Sequence, residues 1–358
     1  MTEDELIKLL NDKLSIDACK LEPLEGLSNR VYKVVATDGK KYVFKVLSHN
    51  PKEIFRLFED HAIKLSQTSD LILYNDKRYR LERYIDHENI SKQEFMKEPM
   101  CIFQLYCIAR FNSCNSIVSD KPNLLYIVEN SKAELMDILA KRIAGIKDAK
   151  LREEITSKVE VVNRVYEHYR ARAKEEKLVL SHGDCYYRNY LYSTDDRQLY
   201  LIDYEYAGYN PLGMDVLVLY QEYMTDYDAD HPPGPKALYE NLPDDDTFRR
   251  LLRFYLYFYK YNAELKGLKH DDAFVKKVEA DQRFNDISKD EVEAILQRFG
   301  YYGVLTQIFF FYWALYLLEL DGVDFDYIRF CQLKYELLGY FLGKNGMSIA
   351  AFEDGAFN

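Results

Sequence analysis

The fold of this chain is decided by residues 178–215, which read LVLSHGDCYYRNYLYSTDDRQLYLIDYEYAGYNPLGMD. A short apolar run ends at the turn residues Ser181-His182-Gly183, so we expect Asp184 to lie on a loop at the mouth of a strand. Asn189 comes next among the polar candidates, and two runs rich in β-forming residues then flank a polar turn. This pattern predicts a hairpin that ends at Asp203.

Three polar side chains of this stretch have the chemistry of a phosphoryl-transfer site. Such a site needs a carboxylate that accepts the proton of the acceptor hydroxyl, and hard oxygen ligands that hold Mg²⁺ against the nucleotide phosphates. Asp184 is the predicted catalytic base, and Asn189 and Asp203 are the predicted metal ligands. The order of an H-x-D motif, an Asn and a hairpin-ending Asp is shared by protein kinases and their small-molecule relatives.

A simpler alternative is that these three residues only form turns, where Asp and Asn are favoured for local hydrogen-bonding reasons. Turn chemistry explains each residue alone, but it does not explain their order and strand context together. His182 is predicted to pack and to hydrogen-bond with nearby backbone, because the neighbouring Asp184 already supplies the base.

The residues after the hairpin indicate which kinase-like family the chain resembles. They read DYEYAGYN at 203–210, MDV at 214–216 and EYMTDY at 222–227. These segments resemble the D-F-E-Y-A-G-Y-N, F-D-I and E-W-x-x-D-Y patterns of the choline and ethanolamine kinases, a kinase-like family related to the aminoglycoside phosphotransferases. The DYEYAGYN segment separates the chain from protein kinases.

The resemblance runs from Leu24 to about Leu342 and implies a fold. That fold is α+β and protein-kinase-like, with two lobes. Residues 1–86 would form a small, antiparallel β, nucleotide-binding lobe. Residues 87–358 would form a larger, mainly helical C-terminal lobe that carries the catalytic loop and the acceptor pocket.

The nucleotide site is predicted from a hairpin near the N-terminus. Its entry loop, Gly26-Leu27-Ser28-Asn29, offers backbone N–H groups to phosphates, and Lys45 on the second strand reaches them as a point charge. This loop alone does not distinguish a nucleotide site from an ordinary hairpin, which has the same sequence pattern. Glu53 and Glu59, in the helical stretch that follows, could each pair with Lys45, and the resemblance favours Glu59. The resemblance further implies contacts from a segment between the lobes, at Arg83 and Ile85, to the adenine edge.

An acceptor pocket for choline needs aromatic faces, because a quaternary ammonium cannot donate hydrogen bonds, and a carboxylate helps at longer range. For Tyr316 and Tyr327, packing in the core is an equally good interpretation, since the chain has 32 Tyr. The resemblance implies acceptor contacts from Glu222, Tyr227, Trp313, Tyr316 and Tyr327.

Composition excludes several classes of protein. Lys and Arg total 48 against 59 Asp and Glu, and the net charge of -11 disfavours binding to nucleic acid. The six cysteines show no paired metal-binding spacing, and the N-terminus shows no secretory h-region. We therefore expect a reducing, cytoplasmic location.

One apolar run, Tyr301–Leu320, is long enough to span a bilayer. It is rich in Tyr, contains Gln307 and lacks a basic flank, so it is predicted to be a buried core helix with no transmembrane role.

The predicted activity is ATP-dependent phosphorylation of the hydroxyl of choline and/or ethanolamine, giving phosphocholine or phosphoethanolamine. The family resemblance makes this the first step of the CDP-choline/CDP-ethanolamine phospholipid pathway. It implies Mg²⁺ as cofactor, with Mn²⁺ as the alternative, and ATP as co-substrate. The competing hypotheses are a kinase for another hydroxylated amine, such as an aminoglycoside, and a catalytically dead binding scaffold. A homodimer is one arrangement that the sequence leaves open.

Overall fold

A five-stranded antiparallel sheet forms the N-terminal part of the protein, with strand order β1-β2-β3-β5-β4. Its strands are β1 (Ala18–Leu24), β2 (Arg30–Ala36), β3 (Lys41–Val46), β4 (Ile72–Asn75) and β5 (Tyr79–Arg83). The structure is a computed structural model that describes residues 2–24, 29–47, 59, 62–66, 68–114, 135–170, 177–227, 234–318 and 325–354.

The hairpin predicted near the N-terminus is β2–β3, and β4–β5 forms a second hairpin in the same sheet. Strand β1 was not predicted. Only Ala18 and Leu21 of its seven residues are buried, so it lacks the alternation that marks a half-buried strand.

The first helix, α1 (Glu3–Leu14), covers one face of the sheet. The Thr2 side chain accepts from the backbone N–H of Glu5, and the Glu5 carboxylate accepts from the backbone of Thr2, which is a capping box. Leu6 and Leu10 are buried against apolar side chains of the strands. The helix therefore packs against the sheet through its apolar face.

The chain leaves this sheet within three residues. Tyr84 still donates its N–H to the carbonyl of Lys41, whereas the carbonyl of Asp86 accepts from Thr194 in the second half of the chain. The next strand, β6 (His87–Glu88), pairs with β8. This crossing supports a lobe boundary at residue 86, which stays a prediction.

The remainder is mainly helical, with short strands that carry the site. The strands are β7 (Leu178–Ser181), β8 (Tyr190–Ser193), β9 (Leu199–Leu201), β10 (Gly208–Pro211), β11 (Thr225–Asp226) and β12 (Lys236–Ala237). The helices are α2 (Lys92–Phe95), α3 (Met100–Asn112), α4 (Ala149–Tyr169), α5 (Met214–Tyr223), α6 (Asp245–Leu265), α7 (Asp272–Ala280), α8 (Gln282–Asn285), α9 (Lys289–Leu296), α10 (Phe299–Tyr316), α11 (Tyr327–Lys344) and α12 (Ile349–Glu353). Strands β6, β8 and β9 form one sheet, and β7 pairs with β10.

The long apolar run is a core helix, as predicted. Nearly every residue of α10 is buried, and α10 packs against α11. At Gly303 the two helices are so close that an added Cβ would collide with the ring of Phe341. Within the described ranges, no helix combines the length and the apolar character needed to cross a bilayer.

Candidate active site

The loop after β7 holds Asp184 where the sequence predicted it, at the end of a strand. Gly183 precedes it with a φ of +79°, and a Cβ added there would lie 2.6 Å from the carbonyl oxygen of Tyr206. Both the backbone conformation and the close approach require glycine. The loop is therefore pressed against the segment that follows the β8–β9 hairpin.

His182 is a packed residue, as predicted. It is fully buried, and its Nε2 lies 2.9 Å from the carbonyl oxygen of Ile202. Its Nδ1 accepts from the backbone N–H of Asp184 at 3.3 Å, so Nε2 carries the proton and donates to Ile202. Burial lowers the pKa of His182 despite nearby carboxylates. The ring therefore joins the loop to the end of the β8–β9 hairpin through hydrogen bonds at both nitrogens.

Asp215 anchors the same loop, a role that the sequence analysis missed. Its side chain is 1% exposed, and it accepts four hydrogen bonds. The donors are the hydroxyl of Ser181 (2.5 Å), the backbone N–H groups of His182 (2.7 Å) and Gly183 (3.0 Å), and the amide of Asn112 (2.9 Å). One buried carboxylate thus fixes the residues immediately before Asp184.

Asp184 and Asn189 form a hydrogen-bonded pair. The Asn189 amide donates to Oδ2 of Asp184 at 2.9 Å and to its backbone carbonyl at 3.0 Å. Burial raises the pKa of Asp184 to about 7, and the charges of Glu222 and Asp203 act in the same direction. A carboxylate with a pKa near neutrality is well matched to accept a hydroxyl proton.

Asp203 follows the β8–β9 hairpin, as predicted. It has a φ of +67°, a conformation that a residue other than glycine holds only when its surroundings impose it, and one that is common at functional sites. No group of three or more acidic, His or Cys side chains suited to a metal occurs among the described residues. Magnesium sites beside phosphates use only one or two protein oxygens, so Oδ1 of Asn189 and the carboxylate of Asp203 fit such an ion.

Lys45 joins the N-terminal sheet to this site. Its Nζ lies 3.3 Å from Oδ1 of Asp203 and 3.6 Å from Oε1 of Glu82. Burial acts to lower the pKa of Lys45, but the two carboxylates outweigh burial and raise it above its usual value. The ammonium is therefore charged and held beside the predicted metal ligand.

No ion pair between Lys45 and Glu59 occurs among the described residues, although the charge of Glu59 acts to raise the pKa of Lys45. Glu59 instead accepts from the guanidinium of Arg80 at 2.7 Å. Lys45 and Arg80 lie opposite each other on β3 and β5, so both side chains reach the same face of the sheet. Arg80 forms the ion pair with Glu59, and Lys45 pairs with Asp203 and Glu82.

The structure describes only some of the other residues that were predicted to contact the nucleotide. Gly26, Leu27 and Ser28 lie outside the described residues. The amide of Asn29 donates to the carboxylate of Glu205 at 3.2 Å, which links the entry loop to the segment after Asp203. Arg83, at the end of β5, is exposed, and the carbonyl of Ile85 lies 2.8 Å from Nδ1 of His87.

The acceptor side of the site is a buried carboxylate bordered by rings. Glu222, in the last turn of α5, is 4% exposed and accepts from the hydroxyl of Tyr227 at 2.5 Å. Burial and the Glu222 charge raise the pKa of Tyr227, so its hydroxyl stays protonated and donates. The ring of Tyr186 meets that of Tyr227 edge to face, with centroids 5.4 Å apart. Tyr186 is therefore a further candidate for the acceptor site, one that the sequence analysis did not select.

Trp313 and Tyr327 pack edge to face with ring centroids 5.8 Å apart. The indole N–H of Trp313 donates to the hydroxyl of Tyr206 at 2.8 Å. Tyr316, by contrast, is 37% exposed and joins none of the described ring contacts of this cluster. We therefore leave Tyr316 out of the candidate acceptor site, although the sequence pattern had placed it there.

The model of the choline/ethanolamine kinase family matches residues 22–339 of this chain. Ethanolamine kinase 1 of Mus musculus is 27% identical over 158 residues, which cover 44% of this chain and 36% of that protein. The chain thus aligns with about a third of the length of this curated relative.

Solved structures share the fold over nearly the whole chain. The choline kinase of Cryptosporidium parvum Iowa II is 16% identical and has a TM-score of 0.66, covering 99% of this chain and 97% of that one. LicA, a choline kinase of Streptococcus pneumoniae, was solved in complex with AMP; it is 16% identical, covers 94% of this chain and 96% of that one, and has a TM-score of 0.55. These likenesses confirm the kinase-like fold. Because the family model spans most of its length, the chain belongs to the choline/ethanolamine kinase family.

Proposed function

We propose that this protein uses ATP to phosphorylate the hydroxyl of choline or ethanolamine. The observation that carries the proposal is the position of Asp184 between two sets of groups. The charges of Glu222, on the acceptor side, and of Asp203, on the nucleotide side, both act on its carboxyl. A hydroxyl held at Asp184 is thus adjacent both to a pocket for a cation and to ligands for a phosphate-bound metal.

Each residue has one task in this mechanism. Asp184 accepts a hydrogen bond from the acceptor hydroxyl and takes its proton as the oxygen attacks the γ-phosphorus of ATP. The bond between that phosphorus and the bridging oxygen of the β-phosphate breaks, and ADP leaves. The hydrogen bond from Asn189 fixes the orientation of that carboxylate. Glu222 attracts the ammonium group of the acceptor, and the nearby Tyr227 ring offers it an aromatic face.

Lys45, Asn189 and Asp203 bind the nucleotide in this mechanism. Lys45 would move its charge from Asp203 to the phosphates when a nucleotide enters, and Asn189 and Asp203 would hold Mg²⁺. The ion supplies positive charge against the phosphate oxygens. The AMP complex of LicA supports an adenine nucleotide as the second substrate.

A substrate panel tests the proposal. ADP release is followed with choline, ethanolamine, kanamycin or no acceptor, and the phosphorylated product is identified by ³¹P NMR. We expect release with choline or ethanolamine that needs both Mg²⁺ and an intact Asp184. Release with kanamycin alone would indicate an aminoglycoside kinase, and no release with any acceptor would indicate a scaffold; either result rejects the proposal.

A further inference from the structure

A lysine lies buried beside the acceptor pocket without a hydrogen-bond partner. Lys334, on α11, is 0% exposed, and its Nζ has no partner in the part of the chain that the structure describes. The Nζ lies 4.6 Å from the ring centroid of Phe330 and 5.2 Å from that of Phe310. Lysine is almost never fully buried unless it is paired, because removing an ammonium from water is costly. Two aromatic faces are the partners that it has here.

Both rings contact residues of the candidate acceptor site, Phe330 through Tyr227 and Phe310 through Trp313. Phe330 stacks on Tyr227 with centroids 6.1 Å apart and planes at 22°, and the hydroxyl of Tyr227 donates to Glu222. Burial lowers the pKa of Lys334, while the negative charges of Glu222 and Asp184 act to raise it. The amine of Lys334 therefore interacts electrostatically with both carboxylates of the site, although it forms a hydrogen bond with neither.

We propose that Lys334 is a specificity-determining residue that selects a primary amine acceptor over a quaternary one. The inference rests on the proposed function and deepens it. In its protonated form the tethered amine of Lys334 occupies the faces of Phe310 and Phe330, and it then repels any second cation in the same low-dielectric environment.

The two acceptors differ in how they respond to that repulsion. A primary ammonium has three N–H donors and can bond directly to Glu222, which offsets the repulsion. A trimethylated ammonium has only its diffuse charge and depends on aromatic faces, so it has no such compensation.

The test is a change of the acceptor ratio. Lys334→Met removes the charge and keeps the length of the side chain, whereas Lys334→Arg keeps the charge. Lys344→Met is the matched control, because Lys344 is an exposed residue of the same helix with its Nζ 5.5 Å from the ring of Tyr340. We measure kcat/KM for choline and ethanolamine, and the affinity for each acceptor by calorimetry without ATP.

The kcat/KM ratio of choline to ethanolamine should rise by up to about thirtyfold in Lys334→Met, the size of a desolvated cation–π contact regained by the ligand, and should stay unchanged in the other two variants. Removing an unpaired buried charge should not lower the melting temperature. If Lys334→Met does not fold, Lys334→Gln gives the same comparison.

An unchanged ratio in a folded, uncharged variant overturns the inference, as does an equal rise in Lys334→Arg. If the wild-type protein turns over neither acceptor, the proposed function fails separately. Calorimetry then still decides the inference, because Lys334→Met must gain affinity for choline relative to ethanolamine.

Discussion

The Nζ of Lys45 lies 3.3 Å from Oδ1 of Asp203, so a strand of the N-terminal sheet is tied to the end of the β8–β9 hairpin. The two residues are 158 positions apart in the sequence. The Lys45 side chain is 9% exposed and that of Asp203 is 33% exposed, so the lysine is almost buried whereas the carboxylate is partly exposed to solvent. A phosphate-bound cation at Asp203 would leave the lysine to pair with the phosphates.

Lys45→Met should raise the KM for ATP by about 10- to 100-fold, the value of a lost charge-assisted hydrogen bond, and leave the acceptor KM nearly unchanged. Initial rates at varied ATP give the answer. Lys41→Met is the control, because Lys41 lies on the same strand but pairs with the exposed Asp86 at 2.5 Å. Equal KM values for ATP in both variants would show that Lys45 does not contact the nucleotide.

Asp184→Asn should reduce turnover by roughly 10²–10⁴-fold, the usual contribution of a general base, with little change in ATP affinity. Asparagine keeps the shape of the side chain but cannot take the proton of the hydroxyl. The matched control is Asp195→Asn, in the exposed turn of the β8–β9 hairpin. Single-turnover rates and nucleotide titration separate the two effects, and a variant with near-normal turnover would contradict the mechanism.

Asp215→Asn should destabilise the fold and lower activity together, because the amide that replaces one oxygen meets buried donors. Each donor left without an acceptor costs roughly 1–3 kcal/mol. Urea unfolding measures the loss of stability. A variant of normal stability would mean that the four hydrogen bonds at this carboxylate do not anchor the loop.

Three catalytic candidates could be predicted because they are close in sequence. Asp184, Asn189 and Asp203 are brought together by one loop and one hairpin, so local turn and strand patterns were sufficient. Asp215 was missed because its role depends on Asn112, which is 103 positions away. At the start of α5 its local pattern reads as an ordinary acidic first turn.

The sequence analysis missed two further features, the ion pairs of Lys45 and the burial of Lys334, for different reasons. The partner of Lys45 was decided by the register of β3 against β5, which sets Arg80 beside it and cannot be read from local pattern. Lys334 could have been found by spacing, since it follows Phe330 by four residues and precedes Leu337 by three on the apolar face of α11. The usual exposure of lysine hides such a residue.

Buried His270 should make stability depend on pH. Its Nδ1 accepts from the backbone N–H of Leu199 at 2.8 Å, and burial, aided by the charge of Arg110, lowers its pKa from 6.5 to about 4. Between these values the unfolded chain binds a proton that the folded protein excludes, so stability falls as pH falls. At pH 5 the loss relative to pH 7.5 is about 2 kcal/mol.

Urea unfolding of the wild type and of His270→Gln at both pH values isolates this contribution, since other titrating groups cancel in the difference. The stability of the wild type relative to the variant should fall on acidification. A difference independent of pH would show that His270 does not titrate in this way.

The acceptor pocket predicts losses that depend on the acceptor. Tyr227→Leu keeps bulk but removes the aromatic face and the hydroxyl that donates to Glu222. A desolvated cation–π contact is worth about 2 kcal/mol, or roughly thirtyfold in affinity, so the KM for choline should rise by that factor while the KM for ATP stays the same. Tyr227→Phe is the control, because it keeps the ring.

Glu222→Gln should instead affect ethanolamine more, since a primary ammonium bonds directly to that carboxylate and a quaternary one cannot. Equal losses for both acceptors in both variants would show that Tyr227 and Glu222 shape the pocket without contacting the ammonium.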